Sequence, residues 1–276
     1  MLVTEQPSLA RTYATVLMRS LPGLGPTGGI LPDTSLTMPG VTVSRPHLAA
    51  YAQVCGFPTS DRLPSTYPHM LAFPMAMRLM SDRAFPFALM GLVHIRNVIT
   101  QIRPLSADDT LELRVYASDL AEHRRGIQFA IMSEAYTSDG LAWTSRSTYL
   151  HRTSSGSGSS DRPVAVTPPT AIWRLPADTG RRYAAVSGDR NPIHLHAATA
   201  RLFGFKTAIA HGMYTKARCL ATLDSRLPDS YEVAVDFAKP LPLPSRATFS
   251  ASRTPDGWDF SVTGRAPHLA GHLHTL

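Results

Sequence analysis

Apolar and polar residues alternate with a period of two in two separate stretches of the chain. In the first, Leu111, Leu113 and Val115 share one face; in the second, Ala247, Phe249 and Ala251 do the same. That period marks half-buried strands. It predicts strands over residues 91–103, 109–118, 126–137 and 141–151, and again over 231–238, 246–253 and 257–264. Ahead of the first set, the run from Ala72 to Met80 is apolar on nearly every side and reads, with Met70, as a buried helix whose Met and Phe side chains could line an apolar channel. Helical segments precede strands in both stretches, so the fold class is α+β.

The two stretches also resemble each other. Tyr51-Ala52-Gln53-Val54-Cys55-Gly56-Phe57 parallels Tyr183-Ala184-Ala185-Val186-Ser187-Gly188-Asp189, and Ile102-Arg103-Pro104-Leu105 parallels Ala238-Lys239-Pro240-Leu241. Self-similarity of this kind marks a duplicated unit. The seam lies at 152–169, where residues 153–160 are all Ser, Thr or Gly and read as a flexible linker. The division is therefore 1–151 with an N-terminal arm, the linker 152–169, and 170–276. Residues 21–40 are rich in Pro and Gly and read as an irregular part of that arm. They contain a literal G-x-G-x-x-G at Gly23–Gly28, but a proline interrupts it and no strand precedes it, so it is no dinucleotide turn. The copies part at one position: Phe57 stands where the second copy has Asp189, and the second copy carries a polar, His-bearing insert beyond that point. One copy reads as working and the other as degenerate.

Composition narrows the class. The 276 residues are 43% hydrophobic and 17% charged, enough for a core and too apolar for disorder. No apolar run reaches the roughly 18–20 residues of a membrane span, and the N-terminus, with Glu5 early, lacks a signal-peptide pattern. Cys55 and Cys219 are too few and too far apart for a disulfide framework or a zinc ribbon; reduced thiols and a cytoplasmic location are expected. The net charge is +7, mostly from arginine, without the dense basic runs that follow nucleic acid. The arginines read as a solvated face, or as a surface for an anionic handle on a substrate.

Candidate chemistry concentrates in 183–217. Asn191 is a good N-cap and Pro192 suits the first helical position, so a helix is expected from Pro192 to about Phe203, stopped by Gly204. Asp189 precedes that helix and His194 lies in its first turn. On one continuous helix, residues five apart would diverge by about 140°. The non-helical lead-in instead lets the carboxylate fold back toward the imidazole, and the positive helix terminus favours a neutral His194. A second helix begins near Gly212, where a backbone N–H can face a developing oxyanion. His211 reads as a brace for that turn. Ser187 has no G-x-S-x-G setting for a nucleophile, Cys219 reads as core, and the Asp189, His194, His196 and His211 set lacks metal-site spacing.

The run Ser187-Gly188-Asp189-Arg190-Asn191-Pro192-Ile193-His194, with Ile209-Ala210-His211-Gly212-Met213 downstream, resembles the signature of the MaoC-like, R-specific enoyl-thioester hydratases. Length and repeat pattern resemble the actinobacterial double-hotdog members, which join a degenerate N-terminal hotdog to a catalytic C-terminal one. The resemblance implies a double hotdog, with an antiparallel sheet around a long helix in each half. It implies 3-hydroxyacyl-thioester dehydratase and 2-enoyl-thioester hydratase activity in fatty-acid metabolism, on coenzyme A or acyl-carrier-protein thioesters, with no cofactor or metal. It places a catalytic pair on Asp189 and His194, an oxyanion donor on Gly212, and supporting roles on Ser187, Asn191 and His211. A hotdog thioesterase or a non-catalytic acyl-binding subunit are the alternatives. A homodimer of double-hotdog units is compatible with the sequence.

Overall fold

The structure, a computed structural model, describes residues 1–19, 29–153 and 168–276. The Gly23–Gly28 motif and most of the expected linker lie outside the described residues.

The chain order is α1 (Leu9–Arg19), β1 (Ser35–Val41), α2 (Arg45–Cys55), α3 (Tyr67–Ser81), β2 (Val93–Gln101), β3 (Leu111–His123), β4 (Gly126–Thr137) and β5 (Gly140–Arg152). Then follow β6 (Ala171–Leu175), α4 (Thr179–Ser187), α5 (Pro192–Leu195), α6 (Ala197–Arg201) and α7 (Gly212–Leu223). Four strands complete it: β7 (Tyr231–Phe237), β8 (Ser245–Arg253), β9 (Gly257–Thr263) and β10 (Pro267–Thr275).

Among the described residues, ten strands make one sheet in the order β1-β3-β4-β5-β2-β7-β10-β9-β8-β6. The left five and the right five follow the same winding, so the sheet is a duplication about the β2–β7 pair. Each set carries one buried helix. In α3 every residue except Leu71 and Arg78 is buried, because the Met and Phe side chains fill space all round it. In α7, Met213, Tyr214, Ala217, Cys219, Leu220 and Leu223 face the core. This is the double-hotdog arrangement. Cys55 and Cys219 are both free and buried. No helix among the described residues is long and apolar enough to cross a membrane.

Local contacts repeat with the topology. Tyr51 on α2 meets Tyr67 on α3 edge-on at 5.4 Å, and Tyr183 on α4 meets Tyr214 on α7 edge-on at 5.6 Å. Gly56 and Gly188 end α2 and α4 in the same way. Each has positive φ, and its N–H donates to Ala52 or Ala184 respectively. Past those glycines the copies differ: Phe57 is core, 8% exposed, whereas the Asp189 side chain keeps 30% of its surface open.

Three strands escaped the alternation pattern. β1 occupies part of the stretch expected to be an irregular arm; Leu36 and Met38 point inward, while Pro39 and Gly40 mask the period. β6 is an edge strand of five residues beside the expected linker. β10 interleaves His, Ala and Gly with its apolar positions, which blurs the alternation. The helix expected over 192–203 is also two pieces. His196 is extended at φ −142° and ψ 148°, and separates α5 from α6; Gly204 then supplies the expected positive φ.

At the seam, Ile99 pairs with Val233, both fully buried, and Arg96 reaches both carboxylate oxygens of Asp236 at 2.8 and 2.9 Å. Beneath it lies a fully buried lysine. Lys216 Nζ donates to Asn97 Oδ1 at 2.6 Å, to the Val233 carbonyl at 2.9 Å and to the Asn97 carbonyl at 3.3 Å. Burial drives its pKa well below the usual lysine range. The amine thus ties α7 to both central strands. Replacing Lys216 with Met strands the Asn97 oxygen, and a loss of about 1–3 kcal/mol is expected in urea denaturation. An unchanged midpoint would show that the seam does not depend on this amine.

Candidate active site

Within the loop from Ser187 to His194, polar side chains bond to nearby backbone groups. Ser187 Oγ accepts the Asp189 N–H at 3.1 Å, and Asp189 Oδ1 accepts the Asn191 N–H at 3.1 Å. Asn191 Oδ1 then caps α5 by accepting the Ile193 N–H at 3.3 Å. Gly188 has a φ of +73°, which favours glycine, and a Cβ there would lie 2.4 Å from Leu9 Cδ1, at the end of a side chain that would have to shift. These bonds turn the Asp189 carboxylate so that Oδ1 anchors the loop.

His194 is buried, and its Nδ1 lies 2.8 Å from the Ile209 carbonyl. A carbonyl only accepts, so Nδ1 carries the proton and the lone pair of the neutral ring falls on Nε2. His211 is fixed likewise: its Nε2 donates to the Asp189 carbonyl at 3.0 Å. The two imidazoles stack with centroids 3.7 Å apart. His211 therefore holds the Asp189 loop, whereas the sequence predicts a brace for the turn before Gly212. One ring nitrogen of each histidine and one carboxylate oxygen of Asp189 lie within 4.8 Å of one another. Two hydrogen bonds of about 2.8 Å meeting at a tetrahedral water span about 4.6 Å. The separation suits a shared water. Each histidine has already committed a nitrogen to a carbonyl, which fixes the orientation of its ring.

Electrostatics points the same way. Burial pushes His194 below the ordinary histidine range, against the pull of Asp189, and His211 falls to about 3 for the same reason. Burial alone would raise Asp189, but protonated His211 and His194, the Asn191 N–H and the Tyr13 hydroxyl together lower it. With both imidazoles neutral, the Asn191 N–H and the Tyr13 hydroxyl remain to favour the ionised carboxylate against its burial. Neutral pH therefore finds neutral imidazoles beside the Asp189 carboxyl group.

Gly212 is the first residue of α7, whose first-turn N–H groups lack intrahelical acceptors. A Cβ on Gly212 would come within 2.9 Å of the Phe237 ring. Phe237 in turn packs on His94, and His94 stacks on Tyr149 at 4.7 Å. His69 on α3 sits by Ser145, 3.3 Å from its hydroxyl. His69, His94 and Tyr149 all feel the charge of Asp189, so the first half supplies polar groups near the second half's loop. None of these three stood out in the sequence, because single histidines and tyrosines within strands and helices carry no spacing signal. Tyr13 on α1 was also missed. Leu9, Thr12, Tyr13 and Val16 follow helical spacing, which reveals a helix but not where it docks.

Comparison with known proteins shows the family. A model of the MaoC like domain matches residues 158–260. Over 98% of its length the chain is 37% identical to 3-hydroxyacyl-thioester dehydratase X of Mycobacterium tuberculosis, covering 99% of that protein. The chain belongs to the MaoC-like dehydratases. The crystal structure of that mycobacterial relative, HtdX, superposes with a TM-score of 0.79 at 38% identity, over 88% of this chain and all of the other. A MaoC-like dehydratase from Phytophthora capsici shares the fold, with a TM-score of 0.71 at 16% identity over 89% of this chain and 95% of that one. A Mycobacterium tuberculosis protein described as a double hotdog matches at 0.50 and 12% identity, over 91% and 96% of the two chains. As a MaoC-like dehydratase, the chain is a hydro-lyase.

The buried neutral imidazoles also set the acid limit of the fold. His69 is held near 4 and His211 near 3, mainly by burial. The unfolded chain takes up protons below about pH 6.5 that the folded chain refuses, so their stability contribution is complete above that pH and is lost as pH falls. Together they should lower stability by about 3 kcal/mol between pH 6.5 and 5. Urea denaturation at the two pH values tests this; equal stabilities would contradict it.

Proposed function

We propose that this MaoC-like dehydratase interconverts R-3-hydroxyacyl and 2-enoyl thioesters in the cytoplasm, on coenzyme A or acyl-carrier-protein carriers. The observation that carries the reading is the His194 tautomer. Its Nδ1 is committed to Ile209, so its basic nitrogen is the one left for solvent or substrate, and a ring nitrogen of His194 lies within 4.8 Å of an Asp189 carboxylate oxygen.

The chemistry follows from that pair. Hydration places a water between Asp189 and His194. Its oxygen bonds to C3, a proton passes to the pair, and the pair returns a proton to C2. The net change is addition of one H2O, and the pair ends as it began; dehydration is the reverse. The two groups titrate as a coupled unit. As the C3–O bond forms, charge builds on the thioester oxygen, and the Gly212 N–H at the positive end of α7 is the donor for it, worth roughly 3–4 kcal/mol. Ser187, Asn191 and His211 hold the loop.

We assign the active half to 170–276 and a supporting role to 1–151. The His69, His94 and Tyr149 side chains favour a substrate path that runs between the halves. A homodimer of such units is compatible with the fold.

Asp189→Asn and His194→Gln should each lower turnover of enoyl thioesters by about 10²–10⁴-fold with the fold intact. An absorbance assay across acyl chain lengths measures this, and chiral analysis of the product should give the R alcohol. Undiminished rates in both variants would reject the assignment.

A further inference from the structure

The N-terminal helix α1 reaches the loop that carries Asp189. Its Tyr13 hydroxyl accepts the Arg190 N–H at 2.6 Å and lies 3.3 Å from both Asp189 Oδ1 and the Gly188 carbonyl. One oxygen thus meets three consecutive residues of the loop. Just ahead of α1, Gln6 donates to the Leu71 carbonyl at 3.0 Å, and at the end of α1, Arg19 donates to the Ser81 and Phe85 carbonyls. Leu9 fills the space that a side chain at Gly188 would need.

We propose that Tyr13 is a positioning residue for Asp189: it fixes the loop through the Arg190 N–H and donates to Oδ1, leaving Oδ2 for the substrate side. The inference rests on the reading of Asp189 as a reacting group. A phenol that already accepts an N–H has one proton to give. Beside an ionised carboxylate it gives that proton to Oδ1; beside a protonated one it can turn to the Gly188 carbonyl. Burial first, and the Asp189 charge next, hold the phenol well above its ordinary range, so it stays a donor at working pH. Oδ1 also accepts the Asn191 N–H, whereas Oδ2 takes no part in these bonds and lies 3.8 Å from His211 Nε2.

The other titratable groups facing the carboxylate are His194 on α5 and His211 before α7, and at longer range His69 on α3, His94 on β2, Tyr149 on β5 and Tyr183 on α4. The histidines are driven toward neutrality by burial, and the tyrosines are protonated. At neutral pH the Tyr13 hydroxyl and the Asn191 N–H are then the donors that hold Oδ1.

Tyr13→Phe keeps the ring and removes only the hydroxyl. Gln6→Ala loosens the same helix at a distance from the loop and serves as the control. A 13C NMR titration of the Asp189 carboxyl, assigned with Asp189→Asn, needs no substrate. Tyr13→Phe should raise the carboxyl pKa by about 1, and lower kcat for enoyl-thioester hydration about tenfold with KM within about twofold. Gln6→Ala should change neither. An unchanged carboxyl pKa in Tyr13→Phe, or an equal change in Gln6→Ala, would overturn the proposal. A wild-type protein with no hydration activity would instead reject the dehydratase reading, and the titration would still decide the role of Tyr13.

Discussion

The hydrogen bond from His194 Nδ1 to the Ile209 carbonyl is the constraint on which the site depends. It spans fifteen residues and joins the start of α5 to the strand-like segment before α7. It chooses the tautomer, and with it the nitrogen that can take a proton. The Ile209 segment is itself held in place: the Ile209 N–H donates to the Ile193 carbonyl at 3.1 Å, and the Ala210 N–H to the Leu241 carbonyl at 2.8 Å. Moving either partner would free the ring, and a ring free to rotate offers the wrong atom part of the time. His211 completes the frame from the other side by donating to the Asp189 carbonyl.

Duplication supplies the platform for this frame. Both copies end a helix at a left-handed glycine, and both pack a tyrosine of that helix edge-on against their long buried helix. After the glycine the first copy buries Phe57 and moves on to α3. The second copy inserts α5 and α6, which turns the Asp189 segment back upon His194. The first copy still contributes: His94 and Tyr149 stack beneath Phe237, which closes over Gly212. Lys216 joins the two halves where β2 meets β7. An apolar residue there could not bridge the Asn97 side chain and the Val233 carbonyl at once.

Much of the site was legible because its bonds are local. Ser187, Asp189 and Asn191 bond to backbone groups two residues away, and such contacts follow from residue type and spacing. The α3 helix and the long strands were legible from uninterrupted periodicity. The break at His196 was not, since nothing in residue type marks that position as extended; the Thr199 hydroxyl bridging the Pro192 and His196 carbonyls satisfies the interrupted turn. Tyr13 and Lys216 were illegible for a different reason. The Asp189 loop that Tyr13 meets and the Asn97 that Lys216 meets lie more than a hundred residues away along the chain, and a lone tyrosine or lysine does not announce a distant acceptor.

The most direct measurement of the central claim is 15N NMR of the His194 ring at neutral pH in the substrate-free protein, assigned with His194→Gln. The account predicts a neutral ring with the proton on Nδ1 and an unprotonated Nε2. A ring protonated on Nε2, or an imidazolium carrying both protons, would contradict it.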